Sequence, residues 1–170
     1  MKDFSLLRYF RQYWSRLYPM LWATASESLS TPLNLYLVKK YYPEVPAEIR
    51  RFVIGVGSYL NVNGTMICAV ITTCLAARVL GIPLSWAQLL ICLPVIFLVG
   101  FAVPGIPGEL LLFAGPIAGT LCLEPALVHP FLTLYLMLQF GLPDSFRTGN
   151  NSTDSLPLAL MLSRSSSLIH

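Results

Sequence analysis

Long apolar runs, each broken near its middle by a polar or Pro/Gly-rich interruption, set the pattern of this chain. Leu17 to Val38 is apolar around Ser26-Glu27-Ser28-Leu29-Ser30-Thr31-Pro32, and a charged loop from Lys39 to Arg51 holding Pro43 and Pro46 follows. Phe52 to Leu80 is apolar around Asn61-Val62-Asn63-Gly64-Thr65, and Gly81-Ile82-Pro83 forms a turn. The pattern then recurs. Leu84 to Cys122 is broken by Pro104, Gly105, Pro107 and Gly108, Leu123 to His129 is a short connection, and Pro130 to Leu162 is interrupted from Asp144 to Asp154. Each half reads as an apolar hairpin with a polar or Pro/Gly tip, followed by an apolar helix broken by polar residues. Repeats with discontinuous helices are a transporter architecture whose site lies where the breaks meet. Broken backbone at membrane depth is tolerated only inside protein or beside a water-filled cavity. The expected fold is an all-α membrane protein with two re-entrant helical hairpins and two discontinuous transmembrane helices in an inverted repeat. Its segments are an interfacial lead-in (1–16), a first hairpin with its broken helix (17–83), a second such unit (84–162) and a polar tail (163–170). Four ordinary spanning helices that are merely kinked are the competing reading.

Composition agrees with burial in lipid. The chain is 55% hydrophobic and 11% charged, where a soluble domain carries about 25% charged residues. No Asp, Glu, Lys or Arg lies between Arg78 and Glu109, and Glu124 to Asp144 encloses only His129. Either gap holds the roughly 20 apolar residues of a span. Lys2, Arg8, Arg11, Arg16, Lys39, Lys40, Arg50, Arg51 and Arg164 all fall on one side if both hairpins re-enter, and that side should be cytoplasmic. Met1 to Tyr18, cationic and aromatic, reads as a membrane-surface helix and lacks the apolar core and cleavage site of a secretory signal. A net charge of +3 placed at segment ends implies a lipid bilayer as partner and no nucleic acid. Cys68, Cys74, Cys92 and Cys122 lie in apolar runs without metal-ligand spacing and read as small buried hydrophobes.

Two polar clusters carry the chemistry. Asn61, Asn63 and Thr65 surround Gly64, which lets the backbone unwind; amide oxygens and freed carbonyls are hard ligands for Na⁺. Polar glue between helices is the bland alternative. Asp144, Arg147, Thr148, Asn150, Asn151 and Asp154 form the second cluster, with Asp144 and Arg147 on one helical face. Arg147 can hold a carboxylate bidentately, and Asp144 can hold an ammonium. The pair suits a zwitterionic acidic amino acid, unless the run is a loop outside the bilayer.

Taken together these segments resemble the dicarboxylate/amino acid:cation symporters, the glutamate transporter homologues. Asn61-Val62-Asn63-Gly64-Thr65 is similar to that family's N-M-D-G-T signature, and Gly81-Ile82-Pro83-Leu84-Ser85 with Gln88 to its next turn. Ser26 to Pro32 resembles the serine-rich tip of the first hairpin, Ile106-Pro107-Gly108 the V-P-G tip of the second, and Asp144-Ser145-Phe146-Arg147-Thr148 the D-x-x-R-T of the last helix. The resemblance covers nearly the whole chain. It implies secondary symport of acidic amino acids or C4-dicarboxylates coupled to Na⁺ or H⁺, with no other cofactor and no enzymatic activity, in a multi-pass protein of the bacterial inner membrane. Ser28, Thr65, Pro107, Gly108, Asp144, Arg147, Thr148 and either Asn150 or Asn151 would then contact a small anionic substrate. Asn61, Asn63 and Asp154 would serve the cation.

Asn63 stands where the family has Asp, which weakens one Na⁺ site. Arg-to-Asn spacing selects Asn151, whereas Asn-to-Asp spacing to Asp154 selects Asn150, so both stay open. Glu27 points to dicarboxylates and Arg147 to amino acids. A rival of another class is a non-transporting helical subunit or fragment. An intramembrane hydrolase would rest on Ser28 and His129 alone, without GxSxG. Family members carry about six further helices ahead of this region, for scaffold and trimer contacts, so the partners expected are scaffold helices or homotrimer neighbours supplied by another polypeptide. Alternating access needs a fixed partner to move against. The 170-residue chain alone is therefore expected not to transport; uptake of labelled aspartate or succinate by proteoliposomes holding only this chain would refute that.

Overall fold

The computed structural model describes residues 5–102 and 105–167. Pro104, the first four residues of the expected lead-in and the last three of the tail lie outside them. Among the described residues every regular element is helical.

Leu6–Arg8, Tyr9–Trp14 (wound as π-helix) and Ser15–Thr24 form one continuous run, α1. No break falls at Arg16. The run is anchored by buried Tyr9, Tyr13, Leu17 and Leu21, spaced every four residues down one face. It stops at Ala25, which adopts a left-handed φ of 47° and donates its N–H to the Leu21 carbonyl. Ser26 is extended and caps α2, Glu27–Tyr41, its Oγ accepting from Leu29 N at 3.3 Å. The tip of this hairpin is thus Ala25-Ser26 alone. Glu27 to Pro32, read from sequence as part of the break, already belong to α2. The cap and a carboxylate in the first turn favour helix there, and Pro32 only removes one internal hydrogen bond.

The first discontinuous helix runs as α3, residues 47–60, with a π-helical stretch at Arg51–Val56, and α4, Asn63–Val79. Its break is confined to Asn61 and Val62. Gly64, expected to unwind the backbone, is helical. Its role is close approach: a Cβ there would sit 2.5 Å from the Arg147 carbonyl oxygen. After the Gly81 turn, Ser85 and Gln88 form a reciprocal capping box that starts α5, Trp86–Gly100. A tip segment leads to α6, Leu111–Thr120, and then to α7, Pro125–Gln139.

The polar run of the last segment is itself helical, as α8, Leu142–Thr153, and continues through a turn at Asp154 into α9, Ser155–Ser167. The expected interruption across 144–154 is therefore displaced. The sharp break lies before it, at Phe140-Gly141, where Gly141 has φ 81° and Pro125–Gln139 meets Leu142–Ser165 at 64°. A positive φ places the bend on the one residue without a Cβ.

Two apolar cores result. One joins α1, α2, α3 and α9 through Tyr13, Leu17, Leu37, Val38, Ile54 and Leu156; the other joins α4 to α7 through Ala69, Cys92, Ile96, Phe113, Ile117 and Phe131. Each core holds one hairpin, half of one broken helix and the opposite half of the other. Polar α8 lies between them, packed on α1 and α4.

Polarity is distributed inside out. Glu27, Asn34, Thr65, Glu109, Gln139, Asp144, Arg147 and Asn151 are buried, whereas Leu7, Phe52, Ile67, Trp86, Leu98 and Met137 are well exposed. Arg8 ion-pairs with Glu44 at 3.3 Å and lies over the Tyr42 ring, and Arg16 lies over Tyr41. Cationic and aromatic side chains thus gather at one end of the first hairpin, the composition of a membrane interface. Among the described residues no single helix is long and apolar enough to cross a bilayer; the bent pair 125–139 and 142–165 has the length and composition together.

Gly64→Ala is expected to lower stability by about 1–3 kcal/mol through overpacking of α4 on α8, because the obstructing atom is backbone and cannot turn aside. Thermal unfolding of the detergent-solubilised variant, compared with a control such as Gly115→Ala whose Cβ meets open space, checks it.

Candidate functional site

Helix α8 carries Asp144, Arg147, Thr148 and Asn151 at i, i+3, i+4 and i+7, one stripe that faces inward between the two cores. Arg147 is the pivot, with 1% exposure. Its Nε and Nη2 donate to Asp144 Oδ1 at 2.9 and 2.8 Å. Its Nη1 donates to Thr65 Oγ1 at 3.1 Å and to Glu109 Oε1, and lies 3.5 Å from Glu27 Oε1. Three carboxylates therefore surround one guanidinium, each from a different element: α2, the second tip and α8 itself.

Thr65 and Asn151 lock this cluster to α4. Asn151 Nδ2 donates to Glu27 Oε1 at 2.7 Å and to Thr65 Oγ1 at 2.8 Å, while Asn151 Oδ1 accepts from Thr65 N at 3.1 Å. The Thr65 hydroxyl, accepting from Arg147 and Asn151, donates to Glu109 Oε1 at 3.3 Å. The hairpin tips meet above the cluster. Ser26 Oγ and Ser28 N donate to Gly105 O at 3.0 and 3.4 Å. Gly108 N donates to Asp144 Oδ2 at 2.9 Å, and Gly105 N to Glu109 Oε2 at 2.8 Å. Glycine at 105 and 108 is required by φ of 67° and 76°.

Of the residues selected from sequence, Ser28, Thr65, Gly108, Asp144, Arg147 and Asn151 converge here. Pro107 is exposed at the tip. Thr148 turns its hydroxyl back to the Asp144 carbonyl at 3.0 Å. Asn150 is exposed, turned off the stripe, and only Asn151 enters the cluster. Asn61 and Asn63 form a separate site with Asp154: both amide nitrogens donate to its carboxylate, Asn63 at 3.0 Å. This trio lines a cavity of about 500 Å³ whose other walls include Phe52, Leu60 and Met161. An amide turned by 180° offers oxygen in place of nitrogen, so the trio can present a carboxylate and two carbonyls to one point, a donor set that fits a hard monovalent cation.

Sequence reasoning missed Glu109 and gave Glu27 only a bearing on substrate class. The signal for Glu109 was present: it is the lone formal charge between Arg78 and Glu124, and an isolated charge at membrane depth marks a pathway.

The model of the sodium:dicarboxylate symporter family matches residues 1–165. The chain belongs to that family. No curated protein and no solved structure matches it. The family consists of integral membrane transporters that couple solute to cation movement, not of enzymes. Within this symporter chain, the start of α2, the second tip, the start of α4 and α8 are the elements that meet at Arg147.

Arg147→Leu is expected to destabilise the symporter chain by about 3–5 kcal/mol, because three buried carboxylates then face one another without a counter-charge. Chemical or thermal unfolding in detergent measures it; a loss within about 0.5 kcal/mol, typical of a surface change, contradicts the central role of the pair.

Proposed function

We propose that this chain is the substrate- and cation-binding half of a secondary symporter for C4-dicarboxylates or acidic amino acids, coupled to Na⁺ or H⁺. The observation that carries the reading is the convergence of Glu27, Glu109 and Thr65, tied together by Asn151, on the single buried guanidinium of Arg147. A guanidinium in a low-dielectric site grips a carboxylate far more strongly than in water. Hydroxyl and amide groups beside it suit the remaining oxygens of a small dianion.

In this reading the two hairpins are re-entrant and the two units form an inverted repeat. The exchange of half-helices between the two apolar cores supports that, since each core is then the counterpart of the other. Asp154 with Asn61 and Asn63 would take the cation where the first broken helix ends, because a helix terminus leaves carbonyls without internal partners. The apolar outer surface would face lipid and the scaffold helices or trimer neighbours of a complete transporter, in a bacterial inner membrane.

Equilibrium binding to the purified chain tests this without requiring transport. Succinate and L-aspartate are titrated in Na⁺ and in choline, at two pH values. Binding of one of them, dependent on Na⁺ or on acid pH, is expected. Arg147→Lys, which keeps the charge and loses the planar fork, should weaken it about tenfold or more. A non-transporting subunit predicts no binding of either anion.

A further inference from the structure

Arg147 has no bidentate edge left to offer. One edge, Nε with Nη2, is filled by Asp144; Nη1 is filled by Thr65 and Glu109. A substrate carboxylate takes a bidentate grip on the guanidinium only if a resident carboxylate leaves. The three candidates differ in how they are held. Asp144 sits three residues from Arg147 on the same helix and accepts both Nε and Nη2, so no movement of a tip carries it away from the guanidinium. Glu27 is in the first turn of α2 and is bonded to Asn151. Glu109 alone lies on a tip segment, between the positive-φ hinges Gly105 and Gly108 and the start of α6. Its second oxygen is satisfied by that segment's own Gly105 N–H, so it can swing out with the tip and keep one partner.

We propose that Glu109 is an internal competitor for the substrate's carboxylate: it latches the second tip onto Arg147 and Thr65, and substrate binds by exchanging one carboxylate for another. This rests on the symporter reading above and adds a specificity-determining residue to it. Exchange leaves the number of negative groups on the guanidinium unchanged, so the entering carboxylate needs no additional counter-charge at Arg147. A ligand without a carboxylate has nothing to exchange and is rejected. The three other ties of the tip, Gly108 N to Asp144 and Ser26 Oγ and Ser28 N to Gly105 O, are single hydrogen bonds, so the charged Glu109 contact is the strongest of the four.

Glu109→Gln keeps the shape and removes the charge. Asp144 and Glu27 still neutralise Arg147, so the fold is retained. When the binding-competent form is a minor fraction, apparent affinity falls by that fraction. Relief of a latch closed in nine molecules of ten therefore tightens binding about tenfold. Succinate and L-aspartate are titrated into the purified wild-type chain, Glu109→Gln and Glu27→Gln. A gain of this order for Glu109→Gln, clearly exceeding that for Glu27→Gln, supports the latch. Equal gains point to general relief of repulsion and overturn it, as does weaker or unchanged binding in Glu109→Gln. A second readout needs no substrate. A spin label at Ile106→Cys, an exposed position of the tip, in a chain whose native cysteines are Ser, should be immobilised with Glu109 and freed by Glu109→Gln. Should the wild-type chain bind neither anion, the symporter reading fails while the label still decides the latch; unchanged label mobility overturns the latch whatever the chain binds.

Discussion

A guanidinium and three carboxylates buried together dominate this molecule. Bringing any one of these charges out of water is costly, and the cost is offset only when opposite charges meet in good geometry with every remaining donor engaged. Arg147 gathers its partners from four elements at once: Asp144 from its own helix, Glu109 from the second tip, Glu27 from the start of α2 and Thr65 from the start of α4. The requirement fixes where those elements can lie. It brings both hairpin tips to the same point and leaves room for nothing larger than glycine at position 64, where α4 crosses the Arg147 backbone.

The rest of the architecture isolates this cluster. Each apolar core closes one side of α8, and neither core is built from consecutive elements alone. Because each takes a half-helix from the other's sequence unit, the breaks at Asn61-Val62 and Phe140-Gly141 are needed so that a chain can leave one core and enter the other. Small residues along α4, among them Ala69, Thr72, Thr73, Ala76 and Ala77, allow close helix approach where lipid provides no hydrophobic drive for association. Gln139 reaches across to Thr72, a polar tie of the kind that holds helices together in a membrane. Outward-facing Leu, Ile, Phe and Trp then give the surface an apolar character that water would not stabilise.

The Arg147 cluster and the Asp154 trio lie on different parts of the same two helices. Asn151 faces Thr65 and Glu27, whereas Asp154, less than one turn further along, faces Asn61 and Asn63. A rigid helical segment joins the two groups, so a shift of α8 that serves one is felt by the other. In the symporter reading proposed above, this is the physical link that coupling of a solute to an ion requires.

Sequence alone determined the apolar runs, the polar clusters at 61–65 and 144–154 and the shared helical face of Asp144 and Arg147, because these follow from burial in lipid and from helical spacing, both local properties. It also carried a family pattern along nearly the whole chain. The choice of Asn151 over Asn150 was within reach once 144–154 is taken as helix: 144, 147, 148 and 151 share a stripe, and 150 does not. Reading the run as an interruption concealed that periodicity. Only the tertiary structure decided that Glu109, 38 residues from Arg147, is its partner, that Glu27 joins them, and that Gly64 serves contact rather than unwinding. Those outcomes depend on where a tip loop and three helices meet in space, and no spacing along a single element encodes a meeting between elements.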